Sequence, residues 1–225
     1  MDGGYEGGVV TPPASPPPAL TLVTQRFAET NRGIVGFHLR RVFDVHAGFS
    51  KRHEELVMDG IYSDGAIVKV HVSSYTIDGK PADAATQATL VQSYEHPAPG
   101  AIFNVPFDPR YVEAYQYQSA GPQKIAFTST LRDAAHGTGS FSFDGSGNVL
   151  SYTYQPNVLP PHASFGQVTD RRSEALPGYW AVVEETQQYK GSYGPFPGSG
   201  TVEITFSDFH RFTDLQSALR SLPSS

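Results

Sequence analysis

Apolar residues occupy roughly every second position along most of this chain, which is the spacing of half-buried β-strands. Three stretches show the alternation best: Ser140–Tyr154, Gly178–Tyr189 and Thr201–Phe212. Short turns rich in Gly, Asp and Ser separate the strand patterns, and no linker interrupts them. The pattern therefore predicts a mainly β fold, built as a single curved antiparallel sheet of about nine to eleven strands.

The predicted strands follow one another along the chain between Gly33 and Phe212. The Asp64–Gly65 pair marks a tight turn between two of them, because Asp-Gly suits the positive φ angles of a two-residue hairpin. The predicted ranges are Gly33–Ala47, His53–Tyr62, Ala66–Ile77, Arg110–Gln118, Gln123–Asp133, Gly139–Phe143, Asn148–Tyr154, Phe165–Glu174, Tyr179–Lys190 and Gly200–Phe212.

Two helices are expected to cover the concave side of this sheet. The first is Ala19–Thr30, where Leu20, Val23 and Phe27 recur at helical spacing and Pro18 suits the first turn. The second is Ala82–Tyr94. A short helix in the tail, Asp214–Leu222, is also possible by its pattern, and the stretches His96–Pro109 and Gln155–His162 are predicted loops.

The first 18 residues are rich in Gly and then in Pro, and they lack the apolar side chains that a core needs. We interpret them as an extended tether, followed by one domain over residues 19–214 and a tail over residues 215–225. Such a tether is typical of exported or lipid-anchored proteins. We therefore expect a periplasmic or outer-membrane-associated protein whose signal or lipidation segment precedes this sequence, with a disordered cytoplasmic tail as the alternative.

Composition excludes several classes of partner. The net charge is −6, so the chain has no excess of cations to neutralise phosphates, and we expect no nucleic acid partner. It has no cysteine, which excludes disulfides and thiolate metal sites. No apolar run reaches the roughly 18 residues that a membrane-spanning helix needs.

The sequence gives no support for a metal or a cofactor. Asp144, Ser146 and Asn148 resemble the start of a calcium loop, but Val149 stands where glycine is needed and Gln155 where a bidentate Glu belongs. The 8 histidines show no tight ligand spacing. We therefore predict neither a metal site nor a cofactor.

Catalytic residues are equally hard to find. The pairs Glu54/Glu55 and Glu184/Glu185 are neighbours on predicted strands, so the two side chains of each pair point to opposite faces of the sheet. Neither pair can therefore form a catalytic carboxylate dyad. One Glu of either pair could still face a cavity. No nucleophile elbow or phosphate-binding loop is present. We assign no catalytic residue and do not expect an enzyme.

One face of the first strand carries the candidate binding site. The residues of this face are all apolar except Arg41. The opposite face of the strand, which includes Arg40, mixes polar and apolar residues and is expected to be more exposed to solvent. A buried Arg41 could latch a loop or bind an anionic head group; alternatively, a bulge could reverse the parity and expose it beside Arg40. With two residues of a later strand, the predicted ligand-binding set is Val35, Phe37, Leu39, Arg41, Phe43, Val45, Ile125 and Phe127.

Four segments suggest a family. Leu20–Thr30 leads straight into a long strand, Tyr75–Lys80 precedes the central helix, Phe143–Leu150 is a late hairpin, and Val202–Phe212 is the closing strand. In this order of elements, the chain resembles the periplasmic lipoprotein carriers, the LolA/LolB-like and LppX-like half-barrels, from about Ala19 to Asp214.

The resemblance implies an unclosed antiparallel barrel that holds acyl chains or other lipids on a hydrophobic concave face covered by helices. The LolA carrier keeps an Arg in its cavity, in a local context different from that of Arg41. Three hypotheses follow. The first is an envelope protein that binds a hydrophobic small molecule, a lipid or a lipoprotein, with its tether near a membrane. The second is a structural or interaction module of an envelope assembly, with a self-filled core, and the third is a β-fold hydrolase.

Overall fold

The computed structural model describes residues 16–98, 102–193 and 196–223, so most of the predicted tether lies outside the described residues. Within these ranges, 11 strands form one antiparallel sheet that is not closed into a barrel, which confirms the predicted fold class. The strands are β1 (Ile34–Ala47), β2 (Ser50–Ser63), β3 (Ala66–Ile77), β4 (Lys80–Pro81), β5 (Gln116–Gly121), β6 (Lys124–Thr128), β7 (Gly137–Phe143), β8 (Val149–Pro156), β9 (Ala163–Leu176), β10 (Tyr179–Tyr193) and β11 (Phe196–Phe212). The helices are α1 (Pro18–Thr30), α2 (Ala84–Glu95) and α3 (Leu215–Ser221), with a 3-10 turn at Val112–Ala114.

Hairpins connect nearly all neighbouring strands, but the first and the last strand meet in the middle of the sheet. The strand order is β4-β3-β2-β1-β11-β10-β9-β8-β7-β6-β5. The predicted Asp64–Gly65 turn joins β2 to β3, and both residues have positive φ angles, 46° and 101°. The β1–β11 pair joins the first hairpins of the chain to the later ones.

Two predicted strands are shorter than the pattern indicated. Residues 110–115 form a turn instead, because the Asp108 carboxylate accepts hydrogen bonds from the backbone and side chain of Arg110. Residues 129–133 leave the sheet because the Asn157 side-chain amide donates to the carbonyl oxygens of Ser129 and Leu131. In one case a side chain nearby in sequence and in the other a distant one thus takes the backbone partners that a strand would need.

The helices cover the inner face of the sheet at its two sides. α1 buries Leu20 and Val23 over β5–β8, in a cluster centred on Phe107. α2 packs Leu90, Val91 and Tyr94 over β1–β3. α2 starts at Ala84 rather than at the predicted Ala82, because the Asp83 carboxylate caps it by accepting a hydrogen bond from the Thr86 backbone N–H at 2.8 Å. α3 buries Ala218 and contacts β1, β2 and β11.

Candidate ligand-binding cavity

A cavity of about 730 Å³ lies on the inner face, over the strands between the two packed clusters. Its wall is formed chiefly by β1, β10 and β11, and Tyr94 of α2 and the segment 160–163 complete it. The residues that line it are Leu39, Arg41, Phe43, Val45, His46, Ala47, Glu54, Ile67, Tyr94, Pro160, Pro161, His162, Ala163, Glu185, Gln187, Tyr189, Lys190, Gly191, Ser192, Gly198, Ser199, Gly200, Val202, Ile204 and Phe206.

The apolar part of the wall comes from alternate residues of two paired strands. Because β1 and β11 are antiparallel, Leu39 lies opposite Phe206, and Phe43 lies opposite Val202. Side chains at every second position share a face, so these pairs and Ile204 make a continuous apolar surface. This surface can take an aliphatic chain by dispersion and by exclusion of water.

Arg41 lines this wall, as does Lys190, and the Arg41 side chain is 19% exposed. One terminal nitrogen, Nη1, donates to the Tyr94 hydroxyl at 3.3 Å, and Nη2 lies 3.7 Å from a Glu54 carboxylate oxygen. Nε is buried and has no hydrogen-bond partner among the described residues. β1 pairs with β2 without a register shift, so the structure does not support the bulge that would expose Arg41.

Glu54 is shared among several donors. Its carboxylate accepts hydrogen bonds from Arg52 Nε and from the Tyr75 hydroxyl, both at 2.6 Å. Arg52 therefore neutralises much of the Glu54 charge before Arg41 does. Both the long Arg41–Glu54 distance and the unpartnered Nε leave the Arg41 guanidinium short of acceptors, which is costly for a buried charged group.

A chain of polar side chains follows β10 on the other side of the wall. Tyr189 donates through its hydroxyl to Gln187 at 3.0 Å, and the Gln187 amide donates to Glu185. Asp170 of β9 lies opposite Glu185 and is 2% exposed. Burial raises the pKa of the Asp170 carboxyl well above its ordinary 3.8, and burial also raises the pKa of Glu185. Burial thus favours the protonated, uncharged form of both carboxyl groups on this side of the wall.

The structure brings four of the predicted ligand-binding residues to the cavity: Leu39, Arg41, Phe43 and Val45. Val35 lies elsewhere, against Tyr179 and Ala181. The Phe37 ring packs against Phe206, with the ring centroids 5.8 Å apart.

Ile125 and Phe127 are also away from the cavity, in the cluster under α1. Neighbours from distant segments fill the space around Val35, Phe37 and these two residues, so none of the four reaches the cavity. Their position explains why a shared strand face does not by itself define a binding site.

Sequence reasoning missed the half of the wall that β10 and β11 supply. The alternation of Val202, Ile204 and Phe206 was visible, but nothing local indicated that β11 pairs with β1. Glu185 is the residue of its pair that faces the cavity. The contribution of the segment 160–163 had no recognisable signal.

Neither a metal centre nor a membrane-spanning helix is found in the described ranges. No group of three or more His, Cys, Asp or Glu side chains there is arranged to hold a metal ion. None of the helices in the same ranges has the length and apolar character needed to cross a bilayer.

Comparison with known proteins gives similarity of fold alone. No family model matches the chain. No curated protein matches its sequence. Among solved structures, a domain described as an outer membrane lipoprotein-sorting protein from Vibrio parahaemolyticus is 11% identical, with a TM-score of 0.41 over 87% of this chain and 93% of that one.

A DUF1329 family protein from Desulfovibrio piger is also 11% identical, with a TM-score of 0.42 over 89% of this chain and 94% of that one. Lipovitellin matches at 8% identity and a TM-score of 0.36, over 83% of this chain and 26% of its own. A lipoprotein-sorting domain is thus among the matches. At these identities and scores, the matches describe a type of fold and say nothing about a ligand of this chain.

Proposed function

We propose that this protein binds the acyl chain of a lipid or lipoprotein in the cavity between β1, β10 and β11. It acts as a non-enzymatic binding protein of the cell envelope. The observation that carries this proposal is a cavity of about 730 Å³ with an apolar wall and an incompletely partnered guanidinium. A self-filled structural module would have packed side chains in this space instead.

The wall matches the chemistry of an amphiphile. Leu39, Phe43, Val202 and Ile204 offer apolar contacts, and each CH₂ group that moves from water into such a site contributes about 0.8 kcal/mol. Arg41 offers a charge for a carboxylate or phosphate head group, which would complete the hydrogen bonds that its own neighbours leave open. The ligand would therefore lie with its head group near Arg41 and its chain along β1 and β11.

The test is to fill the cavity without disturbing the sheet. Val45→Trp adds a large side chain to the wall and should abolish binding of a fluorescent fatty acid that the wild type binds. Val42→Trp is the matched control, since Val42 lies on the same strand with the opposite parity and should leave binding unchanged.

Lipid extraction of the purified protein, followed by mass spectrometry, should identify the bound chain. A wild type that yields no lipid and binds no apolar probe would contradict the proposal. The structural-module hypothesis would then take its place.

A further inference from the structure

Two exposed aromatic side chains lie at the same end of the sheet. The β1–β2 turn carries Phe49, which is 100% exposed, and β11 begins with Phe196, which is 50% exposed. The backbone N–H of Gly48 donates to the carbonyl of Pro197 at 3.2 Å. A Cβ atom at Gly48 would lie 3.1 Å from Cδ1 of Phe196, so this ring packs directly on the turn. We call residues 47–50 and 196–198 the hairpin tip.

The fold does not need these aromatic rings. A two-residue hairpin turn favours Gly, Asn or Asp for its backbone angles, and Gly48 already supplies a positive φ of 59°. Phe49 adds no burial to the folded chain. Scattered exposed apolar residues are ordinary in proteins, but two exposed aromatic rings at the same end of a sheet call for a partner.

The same end of the sheet exposes further apolar side chains. The loops that join β6 to β7 and β8 to β9 leave the sheet at this end, because antiparallel strands alternate in direction. They carry Leu131, which is 46% exposed, and Val158, which is 44% exposed. Apolar groups therefore extend along this edge beyond the hairpin tip.

Charge around the tip is opposite in sign to that of the chain as a whole. Lys51 lies two residues after Phe49, and Lys190 lies at the same end of β10 with its Nζ 5.9 Å from the Phe165 ring centroid. Arg52 also lies here, but its Nε donates to the Glu54 carboxylate at 2.6 Å, so this pair adds no net charge. Another carboxylate near the tip, Asp44, is hydrogen-bonded to His53 at 2.8 Å. The whole chain has a net charge of −6, so these cations form a local positive patch.

The hairpin tip also borders the cavity. Ala47 and Gly198, which are paired across β1 and β11, line the cavity, and so does Lys190. Apolar surface therefore continues from the exposed rings to the cavity wall. A partner that covers the tip would cover this side of the cavity as well.

We propose that the hairpin tip inserts Phe49 and Phe196 into the surface of an anionic lipid bilayer. Aromatic rings flanked by Lys and Arg are the combination that binds the interface of such a membrane, with the rings among the acyl chains and the cations at the head groups. A protein partner fits less well. Two Phe side chains offer on the order of 400 Å² of surface, whereas a stable protein interface takes about 800 Å² from each partner.

Docking at a bilayer does not require a cargo in the cavity, so this inference stands apart from the proposed function. The experiment is co-sedimentation of the full chain with vesicles of phosphatidylglycerol and phosphatidylethanolamine. The wild type should sediment with them, and much less with pure phosphatidylcholine. Phe49→Ser with Phe196→Ser should lower the bound fraction about tenfold or more.

Lys51→Glu with Lys190→Glu should weaken binding to a similar degree and remove most of its dependence on salt. Leu150→Ser is the matched control, because Leu150 is 39% exposed at the opposite end of the sheet and should leave sedimentation unchanged. Phe49→Ser should also keep the melting temperature and the fatty-acid binding of the wild type, which separates lost docking from lost folding or a lost cavity.

Three results would overturn the inference. One is a wild type that stays in the supernatant with anionic vesicles. Another is an equal loss of binding in Leu150→Ser and in the tip variants. The third is binding to phosphatidylcholine that matches binding to the anionic vesicles, since the positive patch would then play no part.

Discussion

Arg41 combines a fixed position with open hydrogen-bonding capacity. Tyr94 holds one of its terminal nitrogens, Glu54 is engaged mainly by Arg52 and Tyr75, and Nε remains without a partner among the described residues. A guanidinium in this state gains more from an anionic ligand than one that already has a full set of acceptors. The head group of the ligand should therefore determine how strongly Arg41 matters.

Replacing Arg41 with Ala should separate the head group from the chain. Binding of a fatty acid should weaken about tenfold or more, since a hydrogen bond to a charged group contributes roughly 1.5–3 kcal/mol. Binding of the matching fatty alcohol should change little. Displacement titrations with both probes measure the difference. Arg40→Ala is the control, because Arg40 pairs with Glu55 away from the cavity; an equal loss for acid and alcohol would refute the head-group role.

Asp170 should make the stability of the protein depend on pH. Burial raises the pKa of this carboxyl in the folded state well above 3.8. At pH values between 3.8 and the raised pKa, the unfolded chain has released the Asp170 proton while the folded chain still holds it. The free energy of unfolding therefore falls as pH rises through this window, by about 1.4 kcal/mol for each unit of pKa difference. At pH values below the window, this contribution to stability is fully present.

Asp170→Asn removes this loss, because the amide stays neutral at every pH. Its stability relative to the wild type should increase from about pH 4 upward, as followed by denaturant melts over a pH series. Asp214→Asn is the contrasting variant, since hydrogen bonds from Ser217 lower the pKa of Asp214. The interpretation fails if the advantage of Asp170→Asn is constant across the series.

At the residue scale, the sequence predicts which side chains of β1 share a face of the sheet, but it does not predict what packs around each of them. Arg41, Phe43 and Val45 share a face, and that much follows from alternation alone. Val35 and Phe37 share the same face and yet lie in packed surroundings, because β9–β10 and β11 supply their neighbours. No local pattern specifies which distant strand will cover a given residue.

At the scale of elements, the segment that precedes β9 is held against the end of β10 at a glycine. A Cβ atom at Gly191 would lie 1.9 Å from the carbonyl oxygen of His162, and this same carbonyl accepts a hydrogen bond from the Ser192 N–H at 3.0 Å. Close approach of two backbones requires the absence of a side chain. Gly191 thus fixes where Pro160 and Pro161 border the cavity.

Gly191→Ala should therefore be destabilising, by about 1–3 kcal/mol as for other overpacked sites. Gly200→Ala is its control on the neighbouring strand β11, because a Cβ there would make an ordinary contact at 3.6 Å. Urea unfolding of both variants measures the difference. Equal stabilities would show that the 160–163 segment can shift away at little cost.

Elements defined by their own residues were predictable, and those whose ends depend on side chains outside the element were less so. Alternation located the long strands, and Pro18 with its apolar face located α1. The ends of the shorter strands depended on the side chains of Asp108 and Asn157, which compete for backbone groups. Such competition does not alter the alternation of apolar and polar residues from which strands are predicted.

For the whole molecule, the sheet and its two covering helices follow from the pattern, whereas the cavity follows from the order of the strands. Apolar packing under α1 and under α2 leaves the middle strands without a helix of their own. The cavity occupies that position. Neither its size nor its neighbours could be inferred before the pairing of β1 with β11 was known.

That pairing determines when the cavity comes into being. β1 begins at Ile34, and the partner of Ile34 in the register is Phe212, the last residue of β11. A polypeptide still emerging from the ribosome can form the hairpins on either side, but it cannot join the two halves until the last strand has been made. Because both halves contribute to the wall, an unfinished chain has no place to hold a lipid. Under the proposed function, a lipid can therefore enter only after β11 has paired with β1.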